Sequence, residues 1–194
     1  LTQKGYHSLW VWPILLIAIF FIVNFIITNR QATHPIVHFH TLFSKKPFVG
    51  ATMAISSHLT LLTGIAGINV YIVRILKLPF DISLHFYFFF FVGVIITGIL
   101  KMFFYSSVGA GFLGTLGSSA LLYVSIHWII LGNTINIPLL YIQGLLLGFG
   151  ASMTLVSGSM ATLLDGDLKE AAQRSQTMHT IRNFSAAMLI PIIA

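Results

Sequence analysis

Ile82–Leu100 reads ISLHFYFFFFVGVIITGIL, a run without a single Asp, Glu, Lys or Arg. At about 1.5 Å of rise per residue, a helix of this length crosses the ~30 Å hydrocarbon layer of a bilayer. Outward from it, the same character recurs at Leu9–Thr28, Phe48–Val73, Ser107–Leu131, Ile137–Leu164 and Thr177–Ala194, six apolar segments in all. Strands of a membrane barrel would alternate apolar and polar residues over about ten positions, and these runs do not. Helices are the remaining way to satisfy the backbone in lipid. The fold class expected is all-α, a polytopic transmembrane helical bundle.

Composition agrees. Of the 194 residues, 57% are hydrophobic and only 7% charged, and the mean hydropathy is +0.94. Soluble domains carry about 25% charged residues, so this chain could not cover itself with a water-compatible surface. The formal charge of +6 would suggest nucleic acid in a soluble protein. Here the basic residues fall between apolar segments, where they act as topology signals, and no nucleic-acid partner is expected. Absence of cysteine excludes disulfides, thiolate metal sites and a cysteine nucleophile. The chain starts at Leu1 without a signal-peptide pattern and stops inside an apolar run, so it reads as an internal fragment of a larger protein.

Alternating the loops gives one side with Lys4, Arg74 and Lys77, and another with Arg30, Lys45, Lys46, Lys101, Lys169 and Arg174. Three basic residues against six make the second side cytoplasmic. Loops at 29–47, 101–106 and 165–176 then lie inside, and Trp10, Trp12 and Trp128 fit an outer aromatic belt. Within the longest loop, Ile36, Phe39, Leu42 and Phe43 recur at helical spacing, compatible with a short interfacial helix or an irregular linker.

Two motifs invite catalytic readings and do not sustain them. Gly109-Ala-Gly111-Phe-Leu-Gly114 matches the dinucleotide fingerprint, but it sits in an apolar segment and no acid follows until Asp165. Gly111, Gly114, Gly117 and Ser118, like Gly144 and Gly148 in the next apolar segment, instead suit close helix packing. His34, His38 and His40 could place imidazoles on one helical face, but the other histidines are isolated and nearby carboxylates are missing. No metal, cofactor or enzymatic activity is therefore expected, although a membrane-embedded histidine-metal enzyme and a non-transporting bundle stand as rival readings.

The second segment is the most informative. Thr52, Ser56, Thr60, Thr63 and Gly67 form one small-polar stripe at 100° per residue. His58 and Asn69 lie on nearly the opposite face. Two polar faces on one helix imply that one packs against other helices and one meets a cavity; the threonine stripe reads as the packing face. His58, ionisable at membrane depth, becomes a substrate-path candidate. Asp81, Asp165, Asp167 and Glu170 all fall in predicted loops.

Several motifs in order resemble the C-terminal part of a major facilitator superfamily transporter, in the fourteen-helix branch of drug:proton antiporters. They are Gly5 through Trp12, His34-Pro35 and Leu42-Phe43, and the Asn69-Val-Tyr71-Ile-Val end of the second segment. They continue with Gln143-Gly144 through Gly148-Phe-Gly150, and Ala171-Ala172 through Arg182-Asn183. Departures are Asn69 in place of a proline, and only Gly98 and Lys101 where a Gly-x-x-x-Asp-Arg-like gate belongs. The resemblance implies 1–28 as an outer loop and extra helix, and 29–47 as a cytoplasmic loop. It makes 48–194 the first five helices of the C-terminal six-helix half, the last one truncated. It implies proton-coupled export of amphipathic or lipophilic small molecules from a bacterial inner membrane, by alternating access with an N-terminal half not present here. His58, Asn69 and Gln143 are then the substrate-path candidates. Gly98, Lys101, Gly111, Gly114, Gly144, Gly148 and Arg182 are the packing or gating candidates.

Overall fold

The computed structural model describes residues 11–33, 35, 37–130, 136–164 and 168–193, and every regular element among them is helical. The elements are α1 (Val11–Gln31), α2 (Lys45–Asn69, widening into a π-turn at Val70–Ile75), α3 (Phe80–Ile130), α4 (Ile137–Leu164) and α5 (Ala171–Ile193). Single 3-10 turns lie at Phe39–Leu42 and Leu168–Glu170. Among the described residues, α2 with its π-turn, α3 and α4 are the helices long and apolar enough to cross a membrane.

At 51 residues, α3 would reach about 77 Å if straight, more than twice the hydrocarbon thickness. It is not straight. Gly109 has φ 75° and ψ 169°, outside any helical region, and divides it into arms over 80–108 and 110–130. Both arms lie against α4. Along the first, Phe86 meets Gly144, Phe90 meets Gly148, and Lys101 Nζ donates to the Met153 carbonyl at 3.0 Å, so this arm runs parallel to α4. Along the second, Gly117 meets Thr154, Leu121 meets Gly150 and Trp128 meets Gln143, so it runs antiparallel. The chain reverses at Gly109. This corrects the expected loop at 101–106, which is helical: no Gly or Pro interrupts Lys101–Ser107, and Gly109 is the first residue able to take the reversal.

The centre of the bundle is α4. Half of its most apolar stretch is buried inside the protein, against 22% for α2 and for α3. Leu140, Leu147 and Ala151 of α4 pack with Ile68 and Ile72 of α2 and with Phe86, Phe90 and Leu121 of α3. Small residues allow the approach: a Cβ on Gly144 would lie 2.8 Å from the Phe86 carbonyl oxygen, closer than a real Cβ tolerates. α2 runs antiparallel to α4, with Gly50 against Gly158 and Ser57 Oγ donating to the Ala151 carbonyl at 2.9 Å. A second cluster of Leu42, Ala51, Ala54 and Met178, with Ile181 against it, joins α5 to α2.

Helix α1 stands apart, with Leu16, Phe20, Phe21 and Val23 exposed. It is tied down at its end by buried Asn29, whose Nδ2 donates to the Val37 carbonyl and whose Oδ1 accepts from the Val37 N–H. The expected helical spacing at 36–43 yields only the 3-10 turn Phe39–Leu42, and Ile36 lies outside the described residues. α5 starts at Ala171, six positions before the expected segment border at Thr177, because buried Arg174 holds its first turn to α4. Arg174 Nε and Nη2 donate to the Thr162 and Leu163 carbonyls at 2.9 and 3.0 Å, and Nη1 lies 3.7 Å from Glu170. These carbonyls belong to the last turn of α4, where a cation complements the helix dipole.

Candidate functional site

Three polar features gather on or beside α2. The first is a groove of ≈ 340 Å³ lined by Thr52, Ser56, Ser57 and Thr60 of α2, Ser118 and Ser125 of α3, and Thr154 of α4, with Met53, Leu121 and Leu122 among them. Thr52 and Thr60 donate to carbonyls one turn back on their own helix, at 2.9 Å each, leaving lone pairs toward the groove. The Thr154 hydroxyl is buried without a hydrogen-bond partner among the described residues. The threonine stripe therefore faces open space, which corrects its reading as the packing face. That role belongs to Gly50, Ala54 and Ser57, the residues of α2 that meet α4. Gly67, also in the stripe, has nothing within 4 Å of where a Cβ would stand.

Further along α2 lies a cavity of ≈ 220 Å³, lined by Gly67, Ile68, Tyr71, Trp128, Leu140 and Gln143. Gln143, 1% exposed, carries its polar network. The indole N–H of Trp128 donates to Gln143 Oε1 at 2.7 Å, and Gln143 Nε2 lies 2.8 Å from His127 Nδ1. Indole is a donor only, so the amide oxygen must face Trp128 and the NH₂ must face His127. His127 Nδ1 is then an acceptor and its proton sits on Nε2. The π-turn Val70–Ile75 forms the rim of this cavity through Tyr71. Just beyond the turn Lys77 takes φ 49°, with the Leu78 N–H returning to the Ile72 carbonyl at 3.0 Å. Asn69 is one helical position from the cavity wall and is engaged elsewhere: its Oδ1 accepts from the Tyr87 hydroxyl at 2.7 Å.

The third feature lies between α2 and α5. Ala54, Met178 and Ile181 pack together at this interface. His58 follows Ala54 by one turn on α2, and Arg182 follows Met178 by one turn on α5, so the two extend the same seam. His179 precedes Arg182 by three positions on the same face of α5. Arg182 acts electrostatically on both imidazoles. Its Nε is buried and has no hydrogen-bond partner among the described residues. The two carboxylates in ion pairs among these residues, Asp81 and Glu170, are committed to His85 and Arg174.

The candidates from sequence are thus dispersed. Gln143 lines a cavity, Asn69 borders it, and His58 joins Arg182 on the opposite side of α2. Gly114, Gly144 and Gly148 make close approaches, to Met53, Phe86 and Phe90 respectively, whereas no described residue lies within 4 Å of a Cβ on Gly98 or Gly111. Lys101 is bound to α4, as described. In the loop, His38 donates its backbone N–H to Thr177 Oγ1 at 2.9 Å and its ring stands 6.0 Å from that of His40, while His34 lies outside the described residues. No three His, Asp or Glu side chains converge among the described residues. Sequence reading missed His127, Trp128 and His179 as site residues. Trp128 and Gln143 carried a usable signal, a polar donor and acceptor in apolar segments, each needing a partner.

No family model matches the chain, and neither does any curated protein or solved structure at a significant level.

Proposed function

We propose that the chain is part of a secondary active transporter that moves amphipathic small molecules across a membrane by alternating access, with protons as the coupling ion. The observation that carries this reading is the position of α2. One apolar, membrane-length helix borders a hydroxyl-lined groove, a glutamine-lined cavity and a cationic seam. Both openings are walled mainly by apolar surface with a few polar groups among it, the character that suits an amphipathic solute. Small-residue seams such as Gly50 against Gly158 leave the helices free of interlocking side chains, as rocking of one element on another requires. In this reading the loops rich in Lys and Arg face the cytoplasm of a bacterial inner membrane, and an N-terminal six-helix half completes the translocation path.

The test uses the full-length protein in proteoliposomes with an imposed pH gradient and a fluorescent lipophilic dye as solute. Gradient-driven dye movement is expected, and Thr60→Leu, which fills the groove, should lower its rate about tenfold at normal protein yield. Dye movement indifferent to the gradient, or unchanged by Thr60→Leu, would sink the reading.

A further inference from the structure

We propose that the seam formed by His58 on α2 and by His179 and Arg182 on α5 is a binding site for the anionic group of an amphipathic ligand, a carboxylate being the simplest case. The proposal rests on the transporter reading and narrows its substrate class.

Geometry carries the argument. Ala54 with Met178 and Ile181 fixes the two helices side by side, and one turn further the seam changes from apolar to basic. A guanidinium there presents planar donors that match a carboxylate in bidentate fashion. Nε of Arg182 is shut away from solvent yet bonds nothing among the described residues. A buried donor of this kind is normally paired, so its acceptor is to be sought outside the described residues. His58, one turn beyond Ala54 on α2, and His179, three positions before Arg182 on α5, carry ring N–H groups that donate even when neutral. Among the described residues no carboxylate competes: Asp81 and Glu170 face His85 and Arg174. Ile181, only partly buried beside the seam, offers apolar surface to a hydrocarbon tail. Among the described residues a cation would find no carboxylate at the seam and would meet like charge.

Binding is measured by calorimetry on the full-length protein in a neutral maltoside detergent, with dodecanoate and dodecyltrimethylammonium as probes of equal chain length and opposite charge. Dodecanoate should bind about tenfold more tightly than the cation, and Arg182→Gln should remove about that factor. Arg182→Lys, keeping charge but losing the planar fork, should fall between the two. If Arg182→Gln does not fold, His58→Leu must still weaken dodecanoate binding severalfold. Equal binding of the two probes overturns the proposal. So does undiminished dodecanoate binding in folded Arg182→Gln or in His58→Leu, the result expected if a carboxylate from elsewhere in the protein already fills the seam. Dodecanoate binding by a protein that moves no solute would leave the site standing and remove the transporter reading. Proton-driven dye transport without anion selectivity would do the reverse.

Discussion

Gln143 has one amide orientation available, because Trp128 offers only a donor and His127 must then offer an acceptor. Gln143→Leu, similar in volume, strands both rings at once. The expected cost is about 1–3 kcal/mol, the usual penalty for a buried polar group left unpaired, read as a lower midpoint in denaturant or thermal unfolding of the full-length protein. Gln143→Glu tests the same logic from the other side. An ionised carboxylate still accepts from Trp128 but has no proton to give His127 Nδ1, so the variant should unfold at a lower midpoint than wild type. The family resemblance pointed to Gln143, and an ionisable side chain at membrane depth pointed to His58. Neither could show that these two face opposite sides of α2. That separation depends on which helix covers which face, and periodicity gives faces without neighbours. Arg182 stood among the packing or gating candidates through the resemblance; its companions, His58 and His179, are brought to it by the packing of α2 on α5, which periodicity does not show.

Element borders were legible wherever a change of hydropathy coincided with a turn, as at the ends of α4. They were misread at 101–106, where Lys101 looked like a loop residue. Its four-carbon stem instead lets the ammonium reach the Met153 carbonyl while the backbone stays helical. The real reversal, Gly109, lay hidden in a glycine pattern that otherwise signals packing. At φ 75° and ψ 169° this position is in a region essentially reserved for glycine. Nothing lies within 4 Å of where its Cβ would be, so crowding does not enter. Gly109→Ala should therefore cost about 1–3 kcal/mol through backbone strain alone, measured as a lower unfolding midpoint. Gly111→Ala, equally uncrowded but helical, should be neutral or slightly stabilising. Equal effects from both would mean that the reversal does not depend on Gly109.

For the whole molecule, the helical class and its membrane-length segments followed from composition and run length, since both are summed over many residues. Orientation rests on nine charges and is open to a direct check, because the chain has no cysteine of its own. Ser44→Cys should react with an impermeant maleimide only after the cytoplasmic face is opened. Asn133→Cys, at a position outside the described residues, should react in intact cells. The opposite pattern would invert the bundle and the direction of any transport through it.

The central place of α4 has a consequence for biogenesis. Synthesis delivers α2 and both arms of α3 before the helix that they pack on. Ser57 waits for Ala151, 94 residues later in the chain, and Gly93 and Gly117 wait for the backbone of the same helix. Through that interval the nascent chain holds separate helices in lipid with their small-residue faces bare. Packing of α2 and of both arms of α3 on α4 has to wait for that helix, and α5 follows it. A nascent chain halted before Ile137 is thus the form most open to membrane proteases and insertion chaperones, and release of α4 from the translocation machinery is the moment at which this region becomes resistant to them.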